Sequence, residues 1–160
     1  MVDREKDSNI TDEQLWKILE TIPDPELPYI NIVELKIVRG VSQSIKSGLI
    51  EVSITPTYSG CPAMDFIEKE IIKIFSEKGL NNIQVKKVYS PPWSTKDLSE
   101  ETMRKMEDNL IAPPRENTPT KCPKCQSGNV QKLGNFGSTS CKAMLKCLDC
   151  LEPFEKFKCH

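Results

Sequence analysis

Two pairs of cysteines stand out in this 160-residue chain. C-P-K-C supplies Cys122 and Cys125, and C-L-D-C supplies Cys147 and Cys150, with residues 126–146 between them. Each C-x-x-C turn aims two thiolates at one point, and two such turns make a tetrahedral sulfur site. The chemistry is metal binding, with structural zinc the first expectation. Iron or an Fe–S cluster is also compatible with four thiolates. A module this short buries few apolar groups, so a metal would carry much of its folding free energy. Cys141, Cys159 and His160, the one histidine, are left over. They are either additional ligands or, for the cysteines, small buried residues.

The seventh cysteine stands alone. Cys61 lies in T-P-T-Y-S-G-C-P-A-M (55–64), between a glycine and a proline. Pro62 suits the first position of a helix, which places Cys61 near the N-cap. There the free N–H groups and the positive end of the helix dipole favour a thiolate. Gly60 permits a sharp turn and the close approach of a ligand. The plain alternative is a cysteine packed as a small hydrophobe. Asp24 and Glu26 lie in P-D-P-E-L-P, a loop stiffened by three prolines. They would serve either as hard ligands and helix-terminus partners or as solvated surface charge. No Ser-His-Asp set, phosphate-cradling glycine loop or second histidine is present, so independent catalysis is hard to build.

These groups need elements to hold them. Thr11, with Gln14 three positions on, makes a capping-box pattern, and Leu15, Ile18, Leu19 and Ile22 follow at helical spacing. Strands are predicted over 37–44 and 49–55, joined by a hairpin loop. A helix is predicted over 62–78, with Ala63, Phe66, Ile67, Ile71, Ile74 and Phe75 on its buried face and Gly79 just past its end. Ile83, Val85 and Val88 suggest a third strand. A second capped helix should start at Ser99, with Met103, Met106 and Leu110 on one face. Trp93 reads as a packing anchor. Val130 to Leu133, with Gly128 and Gly134 around them, suggest the β-ribbon between the cysteine turns. No internal repeat is evident.

The expected fold class is α+β: a small helix-strand-strand-helix-strand domain over 1–90, then a zinc-ribbon-like β module. A proline-rich connector with a short helix takes up 91–120, and the four-cysteine metal-binding module takes up 121–160. The net charge of −1 conceals an asymmetry. From Arg115 onward there are eight Lys/Arg and four Asp/Glu, a balance of +4, which leaves −5 for the remainder. A basic tail could meet an acidic protein surface or a nucleic acid, but its lysines are scattered rather than blocked. No apolar run is long enough to span a membrane. The first ten residues hold no apolar h-region, so a cytoplasmic setting with reduced thiols is expected.

Several of these motifs occur together in known proteins. D-P-E-L-P (24–28), I-V-E-L-K-I-V (32–38) and T-P-T-Y-S-G-C-P-A-M resemble the small domain of SufT-like and eukaryotic cytosolic Fe–S assembly proteins. F-G-S-T-S-C-K-A (136–143) and E-P-F-E-K-F-K-C-H (152–160) look like the PaaD-type subunit of the phenylacetyl-CoA epoxidase (ring-1,2-epoxidase) system, as do P-P-W-S-T and I-A-P-P. Lys36 departs from the pattern, which more often has glycine there. That system adds an oxygen atom to the ring of phenylacetyl-CoA, with a di-iron catalytic subunit and a reductase carrying flavin and an Fe–S cluster. The resemblance implies a non-catalytic accessory subunit in aerobic phenylacetate degradation, one that helps assemble an Fe–S cluster or iron centre. On that basis Cys61 is the transient metal or cluster ligand, supported by Asp24 and Glu26. The expected partners are other epoxidase subunits, the Fe–S reductase first, with a second copy of the chain, as a homodimer, the further candidate. Neither a membrane nor a nucleic acid is the expected partner. The alternative is a zinc-ribbon adaptor that binds protein or nucleic acid, and a third reading is a thiol redox enzyme built on Cys61.

Overall fold

The computed structural model describes residues 10–158, which form two units, 10–56 with 60–92 and 57–59 with 93–158. The first unit holds helix α1 (Asp12–Leu19), strands β1 (Val38–Gln43) and β2 (Ile50–Ile54), helix α2 (Ala63–Glu77) and strand β3 (Ile83–Lys87). This is the helix-strand-strand-helix-strand order expected from the sequence. Thr11 caps α1 through a complete capping box with Gln14, and Leu15, Ile18 and Leu19 are buried.

The first sheet runs β1-β2-β3, with β1 antiparallel and β3 parallel to β2. A parallel pair needs a crossover, and α2 supplies it. Ile50, Val52 and Ile54 of β2 are buried, while Glu51 and Ser53 between them are half-buried. The sheet therefore has one apolar face and one polar face. Helix α2 buries Met64, Ile67, Ile71 and Phe75. Phe66, predicted to face inward, is 51% exposed, and Ala63 and Ile74 are only half-buried. The buried stripe runs 64-67-71-75, and Phe66 lies about 100° round the helix from it.

Between α1 and β1 the chain makes two tight turns. Asp24 Oδ1 accepts from Glu26 N at 2.9 Å and Leu27 N at 2.8 Å, and Asp24 N donates to Ile30 O at 2.8 Å. Asn31 Oδ1 then caps Val33 N and Glu34 N, and Glu34 Oε2 returns to Asn31 N at 3.0 Å. The turn ends with Ile37 N on Ile32 O and Lys36 N on Val33 O, with Lys36 at φ 58. This is a Schellman closure with Lys36 in its left-handed position, which explains why glycine suits that site.

The second unit opens with a 3-10 turn, Thr95–Asp97, and helix α3 (Glu100–Asp108), capped by Ser99. Met103 and Met106 are buried as predicted. Leu110 is exposed instead, because it follows the helix and sits at φ 61. Strands β4 (Ile111–Ala112), β5 (Val130–Gly134), β6 (Lys142–Cys147) and β7 (Pro153–Phe157) form a sheet in the order β4-β7-β6-β5. Its small core comprises Ala112, Cys122, Ala143, Leu145, Cys147 and Phe154. Trp93 is 5% exposed, with its ring 6.1 Å from that of Phe157, so it is a packing anchor. No helix among the described residues is long and apolar enough to cross a membrane.

Candidate metal centre

The two C-x-x-C turns meet at the end of the β5–β6 ribbon. Cys122 and Cys125 precede β5, Cys147 is the last residue of β6, and Cys150 lies in the turn into β7. All four sulfurs lie within 4.8 Å of one another. Cys122 Sγ is 3.7 Å from Cys150 Sγ, and Cys125 Sγ is 3.6 Å from Cys147 Sγ. A tetrahedral ion with metal–sulfur bonds of about 2.3 Å requires sulfur–sulfur edges of about 3.8 Å. The donor set therefore fits one tetrahedral ion. Cys122 and Cys147 are fully buried in the small core, while Cys125 is exposed and Cys150 half-buried.

The thiols do not titrate alike. The backbone N–H of Cys150, with that of Asp149, holds the Cys147 thiol down at about 7 against the effect of burial. Ser127 N–H acts in the same sense on Cys125, but burial and the three neighbouring thiols win and push it up to about 12. The Cys150 thiol is stabilised as thiolate by Glu152 N–H, yet burial and the Cys147 and Cys122 sulfurs leave its pKa raised. Four thiolates this close need a cation, and binding one would release protons.

Cys141 is buried in the loop before β6, with Sγ 3.0 Å from Thr139 Oγ1, and is not one of the four converging ligands. Cys159 and His160 lie outside the described residues.

Cys61 stands at the head of α2, half-buried. Pro62 is the N-cap of α2, already at helical angles and with no side-chain cap, and Cys61 O accepts from Met64 N at 3.3 Å, so Cys61 sits one residue ahead of the cap. Gly60 before it has φ 78, and nothing lies within 4 Å of where its β-carbon would be. Glycine is needed there for its backbone angle, not for space. Lys87 at the end of β3 reaches Asp65 Oδ1 at 2.6 Å and Glu68 Oε2 at 3.0 Å, which ties the first turns of α2 to the sheet. Thr55, at the start of the loop, is 1% exposed, and its hydroxyl has no hydrogen-bond partner among the described residues. Asp24 is buried and Glu26 half-buried, and one oxygen of Asp24 is committed to closing its own loop.

Sequence reasoning overlooked Asp149, which accepts from Ser127 Oγ and, at 2.7 Å, from Asn129 Nδ2. It also overlooked the pair of Lys124 and Glu152, 2.5 Å apart. The one signal the sequence carries for them is their position inside or just beyond a C-x-x-C.

Two family descriptions match the chain. Residues 12–86 match "iron-sulfur cluster assembly protein", and residues 107–158 match "PaaD zinc beta ribbon domain". An Escherichia coli (strain K12) protein, named as one of the subunits of 1,2-phenylacetyl-CoA epoxidase, is 35% identical over 153 residues, covering 91% of this chain and 92% of its own. An Fe-S protein maturation auxiliary factor of Porphyromonas gingivalis is 33% identical, covering 58% of this chain and 88% of its own. Among solved structures, a domain of unknown function (DUF59) from Bacillus anthracis superposes with a TM-score of 0.51 at 30% identity, covering 57% of this chain and 86% of that one. An assembly-type domain and a metal-binding ribbon, joined in one chain that aligns almost end to end with that E. coli protein, place it in a family: the chain belongs to the PaaD-type family of phenylacetyl-CoA epoxidase subunits.

Proposed function

We propose that this chain is an accessory, non-catalytic component of a phenylacetyl-CoA epoxidase system that helps build an iron–sulfur cluster or iron centre in a partner protein. The observation that carries the reading is the pairing of two unlike cysteine sites. One is a four-sulfur site fitted to a single tetrahedral ion, two of its ligands fully buried. The other is one half-buried thiol at the head of a helix, on a turn shaped by Gly60. The first suits a metal that stays, and zinc is its occupant on this reading. The second suits a ligand that is passed on, because one protein thiolate cannot hold a cluster as tightly as four.

In this mechanism the cluster or iron is cargo. Cys61 binds it through sulfur at the head of α2, on the turn shaped by Gly60. Asp24 acts by fixing the D-P-E-L loop, with Glu26 presented beside it. The client is another epoxidase component, with the Fe–S reductase the first candidate by its chemistry. A second copy of the chain could complete the cluster's ligand set.

The test is to co-produce the client with the wild type or with Cys61→Ser, then measure iron and sulfide per client chain. The expected result is a client depleted of both in the Cys61→Ser background, while the variant retains its fold and its tail zinc. A fully loaded client would remove Cys61 from the mechanism.

A further inference from the structure

The two cysteine turns are equivalent in three dimensions although their sequences share only the cysteines. C-P-K-C-Q-S and C-L-D-C-L-E are offset by 25 positions (147 − 122). Cys122 N donates to Ser127 O at 2.8 Å, and Cys147 N to Glu152 O at 2.9 Å, the same bond under the offset. The residue after each second cysteine is left-handed, with Gln126 and Leu151 both at φ 64. Ser127 N–H points at Cys125 sulfur, and Glu152 N–H at Cys150 sulfur.

The side chains complete the pattern. The third residue of each turn reaches across to the sixth residue of the other. Lys124 meets Glu152 at 2.5 Å, and Asp149 meets the Ser127 hydroxyl. Asn129 strengthens the second crossing. Its Nδ2 donates to Asp149 Oδ1 at 2.7 Å, its N–H donates to Ser127 Oγ at 3.0 Å, and its carbonyl accepts from Leu148 N at 2.8 Å. Each turn alone supplies only two ligands, so a tetrahedral site survives only while the turns stay together.

We propose that these reciprocal clasps, Asp149 with Ser127 and Asn129, and Lys124 with Glu152, are positioning elements that hold the two turns closed around the metal and set how slowly it leaves. None of these side chains ligates the ion. The Asp149 clasp is the stronger of the two, because it uses three hydrogen bonds around one carboxylate and one hydroxyl. Both clasps lie largely at the surface, with Asp149, Asn129 and Lys124 exposed and Ser127 and Glu152 half-buried, so the difference lies in the number of hydrogen bonds, the single ion pair being screened. The inference rests on the tail being a metal site and is independent of any role for Cys61.

The experiment follows transfer of zinc from the full chain to an excess of chromogenic chelator at 25 °C. Asp149→Ala is expected to release zinc faster by up to roughly tenfold, the lower end of the loss in metal affinity when an outer partner of a ligand is removed, since the Asp149 side chain reaches the ligands only through Ser127 and Asn129. Asp149→Asn should recover most of the loss, since its amide oxygen still accepts from Asn129 and its NH₂ can face Ser127. Lys124→Glu and Glu152→Lys should each speed release by a smaller factor, and the double exchange should restore it. Should Asp149→Ala not load at all, Asn129→Ala removes one of the clasp's three bonds, that from Nδ2 to Asp149, and should still release zinc measurably faster than wild type. Wild-type release from Asp149→Ala, or from Asn129→Ala in that case, overturns the proposal. A wild-type chain that binds no metal overturns the tail's assignment, and the proposal with it.

Discussion

Lys142 Nζ lies 2.9 Å from Glu155 Oε2, and the lysine side chain is only 4% exposed. The same carboxylate accepts from the Ser138 backbone N–H and from Ser138 Oγ. A β-carbon at position 137 would overlap it, which accounts for Gly137. This ion pair, buried on the lysine side, ties Ser138 and Lys142 of F-G-S-T-S-C-K to β7. Burial works against the charged form of Glu155, but Ser138 and Lys142 outweigh it and lower its pKa. A carboxyl with a depressed folded pKa stabilises the protein above its unfolded value, near 4.5, and loses that contribution as pH falls through the folded value. Glu155→Gln leaves a buried ammonium without its counter-charge, so it should cost about 2–3 kcal/mol at pH 7. The gap from wild type should shrink in acid. Urea titrations of both proteins from pH 7 to pH 3 check this, and a gap that stays constant with pH would refute it.

Lys36 is exposed and holds φ 58 in its Schellman turn. A left-handed residue with a β-carbon is strained by about 1 kcal/mol, part of which glycine returns to the unfolded chain as entropy. Lys36→Gly should therefore be neutral or raise stability by up to about 0.5 kcal/mol. Lys36→Val, β-branched, should lose about 1–2 kcal/mol at the same site. Equal effects of the two in thermal melts would mean the turn has relaxed to another conformation.

Thr55 buries a hydroxyl that no described residue satisfies. Valine has nearly the same shape and no such group. Thr55→Val should gain about 1 kcal/mol in a denaturant titration, since an unmet buried polar group costs about that much or more. A loss of stability would show that the hydroxyl has a partner, such as an ordered water.

Two of the six residues in the tail's core are the cysteines Cys122 and Cys147. Removing the metal should therefore loosen the ribbon and uncover Trp93, whose packing depends on Phe157 of β7. Chelation should shift Trp93 emission to the red in a Trp16→Phe background. The emission of Trp16, in α1 of the other unit, should stay unchanged in Trp93→Phe. A shift of both would mean that the two units do not respond separately.

The capping box at Thr11, the strand alternation and the cysteine spacing all carry periodic or stereochemical signals, and each leads to its element. The face of α2 is harder to read from composition. Phe66 is apolar and one position from Ile67, and only the position of the buried stripe separates them. Strand β4 is two residues long, too short to show any period, and β7 begins with a proline that masks it. The clasps are hidden for a different reason. Lys124–Glu152 is an ion pair and Asp149–Ser127 a hydrogen-bonded pair, so equivalent positions carry unlike residues, and only the backbone geometry shows their correspondence. Near Cys61 the turn and the start of α2 are legible in G-C-P, but the cap falls on Pro62, and the orphaned hydroxyl of Thr55 carries no sequence signal.

Strand β4 has one further consequence. Ile111 and Ala112 lie parallel to Glu155 and Lys156 of β7, on the side of β7 away from β6. They are the sheet's outermost strand on that side, and they sit ten or more residues ahead of Cys122. A fragment begun at Lys121 would keep all four metal ligands but leave the flank of β7 bare, with unpaired N–H and C=O groups open to another molecule. Such a fragment could load its metal and still self-associate edge to edge, whereas one begun ahead of α3 would carry its own guard strand.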